Sequence, residues 1–221
     1  GAGLGFPPYG YFGVYFFDRF MPGAGDPAQV RAAITSAEEL AASDRWADVR
    51  RSMIALGRAR SEAGLNRELL ARSLVHHALF QLRFDDASDT GKASQIMARL
   101  QERGAMDGPE MALARAANLA RTRNPAAGPA LAQARAHDAA DPYVDLLAGE
   151  LALGNGDLGA ALEAFERAAE HGGGTRALWG IARARLGMGD EGAAAAVDAV
   201  LEATPTHGEA MVRQARMRLE A

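Results

Sequence analysis

The stretch DPYVDLLAGELALGNGDLGAALEAFERAAEHGGG, residues 141–174, decides the fold of this 221-residue chain. It contains two apolar segments with helical spacing, separated by the turn sequence NGD. Asp141 and Asp157 each stand just before one of these segments, where an N-cap side chain is expected. The glycine run that closes the stretch suits a helix end, because such ends often need a positive φ. The stretch therefore predicts two helices joined by a tight turn.

A second unit, ALWGIARARLGMGDEGAAAAVDAVLEATP, follows at residues 177–205 and repeats this plan with a turn that is one residue shorter. In both units small residues let two antiparallel helices approach closely, and larger residues at i, i+3 and i+4 fill the space between them. The residues predicted to pack inside the two hairpins are Leu147, Ala148, Gly149, Ala161, Phe165, Ala168, Trp179, Ala182, Leu186 and Ala194.

The length and packing pattern of the first unit resemble the tetratricopeptide repeat, a 34-residue helix–turn–helix unit. The resemblance covers residues 142–205 well and residues 27–141 loosely. It implies a right-handed all-α solenoid of about five hairpins, because single repeats bury their apolar faces only by stacking. In that family the first helix of each hairpin lines a concave face that binds extended or helical peptides. The last helix, from Glu209 to Leu219, is expected to be the polar cap that such arrays need.

The rest of the chain from residue 26 to residue 221 is also predicted to be helical, as one repeat domain. Alanine, leucine, arginine and glutamate dominate it, and no β-branched run alternates with period two. Asp44 is expected to cap a helix in the same way as Asp141 and Asp157. The predicted helices span residues 27–42, 44–62, 65–84, 90–103, 108–122, 125–139, 142–154, 157–170, 175–187, 190–203 and 206–220.

Residues 1–25 differ from this domain and form an aromatic and glycine-rich arm. Eight of the fourteen aromatic residues of the chain lie within the first twenty positions. Three roles fit this composition: a cap on the first hairpin, an interfacial belt beside a membrane helix upstream of Gly1, and an arm that recruits a partner. The second role favours a membrane-tethered location, periplasmic or cytoplasmic, over a freely soluble one. The candidate contact residues are Tyr11, Phe12, Tyr15, Phe16, Phe17 and Phe20.

Motifs for catalysis, metals and cofactors are missing from the sequence. The chain has no cysteine, and the adjacent pair His76-His77 lacks the His-Glu-x-x-His spacing of a zinc site. We expect one of these histidines in the core and the other on the concave wall. The aspartates of residues 85–91 lack the spacing and closing glutamate of a calcium loop. Gly91-Lys92 lacks the other residues of a phosphate-binding loop. We therefore expect no enzyme and no cofactor.

The charge of the chain is close to balanced, with a net charge of −4 and no strongly basic patch, which argues against nucleic acid as a partner. Basic residues other than Lys92 are arginines, as is typical of proteins from GC-rich bacterial genomes. Arginines crowd residues 45–72, either as a solvated face with partners such as Glu68 for Arg72 or as a groove for an acidic peptide. The candidate groove residues are Arg67, Arg72, His76 and Arg115.

Two functions fit these predictions. The first is a non-catalytic interaction scaffold of the tetratricopeptide type that binds a partner protein or peptide. The second is a structural subunit of an envelope, motility or secretion complex, which assembles into oligomers or with neighbours through the arm and the ends of the solenoid. The oligomeric states of a variant in which Tyr15, Phe16, Phe17 and Phe20 become serine would separate the two.

Overall fold

The computed structural model describes residues 26–63, 66–102 and 108–220, and this part of the chain contains eleven α-helices and no β-strand. A single 3₁₀ turn, Ala87–Asp89, precedes the fourth helix. Every predicted helix is present, and no helix end is displaced by more than three residues. The helices are α1 Pro27–Ala41, α2 Trp46–Ala63, α3 Arg67–Phe84, α4 Thr90–Glu102, α5 Pro109–Arg121, α6 Ala127–His137, α7 Pro142–Gly154, α8 Leu158–Glu170, α9 Gly174–Met188, α10 Ala193–Ala203 and α11 Gly208–Glu220.

Two of the three predicted helix caps are confirmed. The side chain of Asp141 accepts a hydrogen bond from the backbone N–H of Tyr143, the second residue of α7, at 3.0 Å, and Asp157 accepts one from the N–H of Ala160, the third residue of α8, at 3.1 Å. Asp44 has a different role, so the prediction that it caps α2 is wrong. Its backbone has a φ of 52°, and its carboxylate is held by arginines of other helices, as described below.

Consecutive helices pack against each other along the chain, which gives the repeat-like architecture that the sequence predicts. Helices one hairpin apart also touch, since α3 contacts α5, α5 contacts α7 and α7 contacts α9. In addition, α3 contacts α7 directly. The largest apolar core runs continuously from α3 to α9, whereas smaller clusters lie under α1–α2 and under α9–α11.

The buried ring of Phe165 on α8 shows why small residues are needed between α7, α8 and α9. A Cβ added to Gly149 on α7 would lie 2.7 Å from this ring, and one added to Gly180 on α9 would overlap the ring even more. Real Cβ atoms do not approach other atoms so closely. Both glycines therefore let the neighbouring helices close around one aromatic side chain.

Most residues predicted to pack inside the last two hairpins are buried, and one is not. Ala148 and Leu186 are half-buried at the edge of the core, but Ala194 is exposed. The shorter turn before α10 moves the inward position back by one residue, to Ala193. The fully or nearly fully buried members of the predicted set are Leu147, Gly149, Ala161, Phe165, Ala168, Trp179 and Ala182.

Candidate functional site

The loop between α1 and α2 is bound to helices near the other end of the described chain. Asp44 in this loop is fully buried, and its two carboxylate oxygens accept hydrogen bonds from Arg83 Nε at 2.9 Å and from Arg176 Nε at 3.1 Å. The ring of His207 lies beside them, with Nε2 at 3.7 Å from Asp44 Oδ2. We call these four residues the Asp44 junction. They join the first hairpin to α9 and to the loop before α11.

The electrostatics of the Asp44 junction hold its carboxylate in the charged form. Burial alone would raise the pKa of Asp44, but the contact with His207 and the charges of Arg83 and Arg176 outweigh burial and hold this pKa well below its ordinary value. An ionised carboxylate in the interior is tolerated because two guanidinium groups surround it.

Further contacts extend the junction outward. Arg83 Nη2 donates a hydrogen bond to Glu209 Oε2 at 2.8 Å, and Arg45 Nη1 donates one to Thr206 at 3.0 Å. Around the α1–α2 loop, a Cβ added to Gly174 would lie 3.3 Å from Ala42. The first hairpin therefore lies directly against the N-terminus of α9 and the start of α11.

The four candidate groove residues on α3 and α5 are not presented together to a partner. Arg67 is exposed at the start of α3, and Arg115 is half-buried on α5. Arg72 is neutralised by Asp141, with Nη1 at 2.9 Å from Oδ2, instead of by the expected Glu68. Arg72 also lies near a second carboxylate, since its Nε is 3.7 Å from Glu38 Oε1 on α1.

His76, the fourth of these residues, is fully buried, so it is not exposed to a partner in this structure. Its Nδ1 lies 3.0 Å from Ser52 Oγ, and its ring centroid lies 5.4 Å from that of Tyr143. His77 is also buried, with Nδ1 at 4.0 Å from Asp89. The expectation that one of the two histidines lies on an open wall is therefore wrong, because α3 is surrounded by other helices.

Burial keeps both histidines neutral. It lowers the pKa of His76 well below its ordinary value, and it lowers the pKa of His77 to about 4. For His77 the nearby charges of Arg60, Lys92 and Arg121 act in the same direction, while Asp89 opposes them. These histidines serve packing in this structure, since neither ring is open to solvent.

The proposed contact residues of the aromatic arm, Tyr11, Phe12, Tyr15, Phe16, Phe17 and Phe20, lie outside the described residues. Their role stays a prediction.

A cavity of about 260 Å³ lies between α1, α7 and the loop before α9. Its walls carry Glu38 and Glu39 from α1, Tyr143 from α7 and Arg176 from α9. Burial raises the pKa of Glu38, although Arg72 opposes this effect. Acidic and basic groups are mixed in this cavity, and the one buried arginine already binds Asp44.

A larger groove of about 570 Å³ separates α9 from α11, and we call it the α9–α11 groove. It lies open to solvent along both helices. Its apolar part is formed by Trp179, Leu186 and Val212, and arginines stand on both sides. Its lining residues are Trp179, Arg183, Leu186, Gly187, Gly208, Glu209, Val212, Arg213 and Arg216.

Helix α11, which the sequence predicts to be a polar cap, also exposes apolar side chains. Ala210 is its one buried residue within the described part of the chain. Three of its apolar side chains are open to solvent, with exposed fractions of 50% for Met211, 55% for Val212 and 88% for Leu219.

Within residues 26–63, 66–102 and 108–220, no three or more histidine, aspartate or glutamate side chains converge in a way that would hold a metal ion. Among the described residues, no helix has an apolar stretch long enough to span a membrane.

Comparison of the chain with protein-family models, with curated proteins and with solved structures finds no match in any of the three.

Proposed function

We propose that the chain is a non-catalytic interaction scaffold of the tetratricopeptide type that holds a segment of a partner protein in the α9–α11 groove. The observation that carries this proposal is the groove itself, which combines an open apolar floor with charged rims and a volume of about 570 Å³. Ligand sites in proteins usually combine an apolar lining with a few polar groups, and small-molecule sites have volumes of about 300–1,000 Å³.

The groove is a better candidate than the arginines first expected on α3. Arg72 is neutralised within the chain and His76 is buried, so neither offers free recognition chemistry. The α9–α11 groove in contrast exposes Val212 and two arginines at the surface. In this proposal the hairpins form a right-handed solenoid of about five repeats, and residues 1–25 cap it, anchor it to a membrane or recruit a second partner.

The experiment is a selection from a random peptide display library on the purified chain. Val212→Glu places a charge in the groove, whereas Met211→Glu makes the same change at a neighbouring, equally exposed position that does not line the groove. We expect enriched peptides that bind the wild-type chain and Met211→Glu alike and lose affinity for Val212→Glu in fluorescence polarisation. If the enriched peptides bind Val212→Glu as tightly as they bind the wild-type chain, the groove is not the binding site.

A second candidate function is assembly, which the exposed apolar side chains of α11 favour. Met211 and Leu219 would then contact a second copy or a neighbouring subunit of a larger complex. Light scattering on the chain with both residues changed to serine tests this function. A fall in mass supports assembly, and a monomer before and after the change argues for the scaffold.

A further inference from the structure

We propose that the α9–α11 groove selects an acidic segment that places an apolar side chain between Trp179 and Val212 and its carboxylates on Arg213 and Arg216. This inference rests on the proposed function and names the chemistry of the partner. It follows from three properties of the groove: which of its charges are already neutralised, which are not, and how its apolar floor is held.

Two of the charged side chains that line the groove are already paired with other residues of the chain. Arg183 binds the buried Glu150 with two hydrogen bonds, one of them 3.1 Å from Nη1 to Oε2. Glu209 accepts hydrogen bonds from Trp179 Nε1 at 3.0 Å and from Arg83 Nη2 at 2.8 Å. Neither Arg183 nor Glu209 is therefore the group that attracts a charged partner.

Two other arginines of the groove lack a counterion within the described residues. Arg213 and Arg216 stand three positions apart on α11 and so face the same side of the helix. Within the described residues no ion pair joins either of them to a carboxylate, and Arg213 Nε is buried without a hydrogen-bond partner there. A guanidinium group presents a planar set of donors that matches a carboxylate, so the natural occupant is acidic.

The apolar floor supplies an anchor of fixed shape. The indole of Trp179 is held from two sides, by the hydrogen bond to Glu209 and by the ring of His207 at a centroid distance of 5.1 Å. Val212 is 55% exposed across the groove from it, with Leu186 half-buried at one end. Trp179 itself is only 5% exposed, so a small part of its ring reaches the groove, and Val212 supplies the larger apolar contact for a ligand.

The test uses three synthetic peptides with matched length. The first is Glu-Asp-Leu-Phe-Glu-Asp, the second replaces its acidic residues with lysine, and the third replaces Leu-Phe with Ser-Ser. The variant Arg213→Glu/Arg216→Glu reverses the two free charges. The control Arg31→Glu/Arg58→Glu makes the same charge change at exposed positions outside the groove, on α1 and α2.

We expect the first peptide to bind the wild-type chain and the control within twofold of each other, and the reversed variant at least tenfold more weakly. The second and third peptides should bind the wild-type chain at least tenfold more weakly than the first. Added salt should lower the affinity of the first peptide for the wild-type chain. Circular dichroism melting shows whether each variant is folded, and Arg213→Ala/Arg216→Ala provides a milder version of the same change.

Equal binding of the acidic and basic peptides, or equal binding to the wild-type and reversed chains, would overturn the inference. The inference would also be overturned if the acidic peptide does not bind while the display selection yields peptides whose binding depends on Val212 but which lack acidic residues. In that case the proposed function stands and only the partner chemistry is wrong. If no selected peptide depends on Val212, the proposed function itself fails.

Discussion

Replacement of Asp44 by asparagine is the most direct test of how the two ends of the described chain are joined. The substitution keeps the shape of the side chain and removes its charge from between Arg83 and Arg176. We expect the loss to affect Arg176 more than Arg83, because the Arg176 side chain is 2% exposed, only its Nε binds Asp44, and its Nη1 and Nη2 have no hydrogen-bond partner among the described residues. The variant therefore leaves a buried guanidinium group without a counterion.

The magnitude follows from that burial. Removal of one partner from a buried ion pair costs about 3–5 kcal/mol of folding free energy. Asparagine keeps one oxygen that can accept a hydrogen bond, so we expect the lower end, about 3 kcal/mol. For a chain of this length that loss lowers the melting temperature by about 6–12 °C.

The assay is urea unfolding at neutral pH, followed by circular dichroism, with Asp198→Asn as the control. Asp198 is exposed and accepts a hydrogen bond from Gln214 that asparagine can keep. Because the pKa of Asp44 is lowered in the folded state, its stabilising effect is complete above the ordinary carboxyl pKa of about 3.9 and is lost as the pH falls through its folded value. A loss of less than about 1 kcal/mol at neutral pH would refute the view that the Asp44 junction holds the fold together.

Three other substitutions test separate parts of the structure. The folded pKa of His77, about 4, lies below its unfolded value of about 6.5, so His77 alone should lower the stability by about 2 kcal/mol from pH 7 to pH 5, and this share should disappear in His77→Leu; urea unfolding of both chains at the two pH values measures this. Gly180→Ala should cost about 1–3 kcal/mol because its Cβ meets the ring of Phe165, whereas Gly128→Ala on α6, with no atom nearby, should leave the melting temperature unchanged or raise it. Asp157→Ala removes the cap of α8 and should lower the free energy of unfolding by about 1 kcal/mol in the same urea assay; no change would mean that the cap contributes little.

Local features of the sequence were enough to predict the helices. Asp141 and Asp157 mark helix starts because a short acidic side chain can bond to N–H groups of its own segment, and this needs no knowledge of the rest of the fold. The spacing around Gly149 and Phe165 likewise predicts a hairpin, since both residues belong to the same unit. Interactions within about thirty residues can be inferred in this way.

Long-range contacts could not be predicted by the same reasoning. Asp44 was expected to cap a helix because nothing near it in the chain shows that Arg176, 132 residues later, would bind its carboxylate. The α9–α11 groove was missed for a related reason, since it depends on the separation of two helices. The sequence did contain one sign of a long-range contact. Arg183 stands where the repeat pattern places a small residue, so its charge needs a partner inside the fold, and the structure shows that this partner is Glu150.

The Asp44 junction also limits how many helical hairpins can be added to this protein or lost from it. In an open array of hairpins each unit touches only its neighbours, so units can be added or lost at either end at modest cost. Here the first hairpin rests on α9 and on the residues before α11, and a hairpin inserted between them would separate Asp44 from Arg176. The number of hairpins between these two contacts is therefore fixed by the fold, and we expect the chain to unfold as one cooperative unit instead of shortening from its ends.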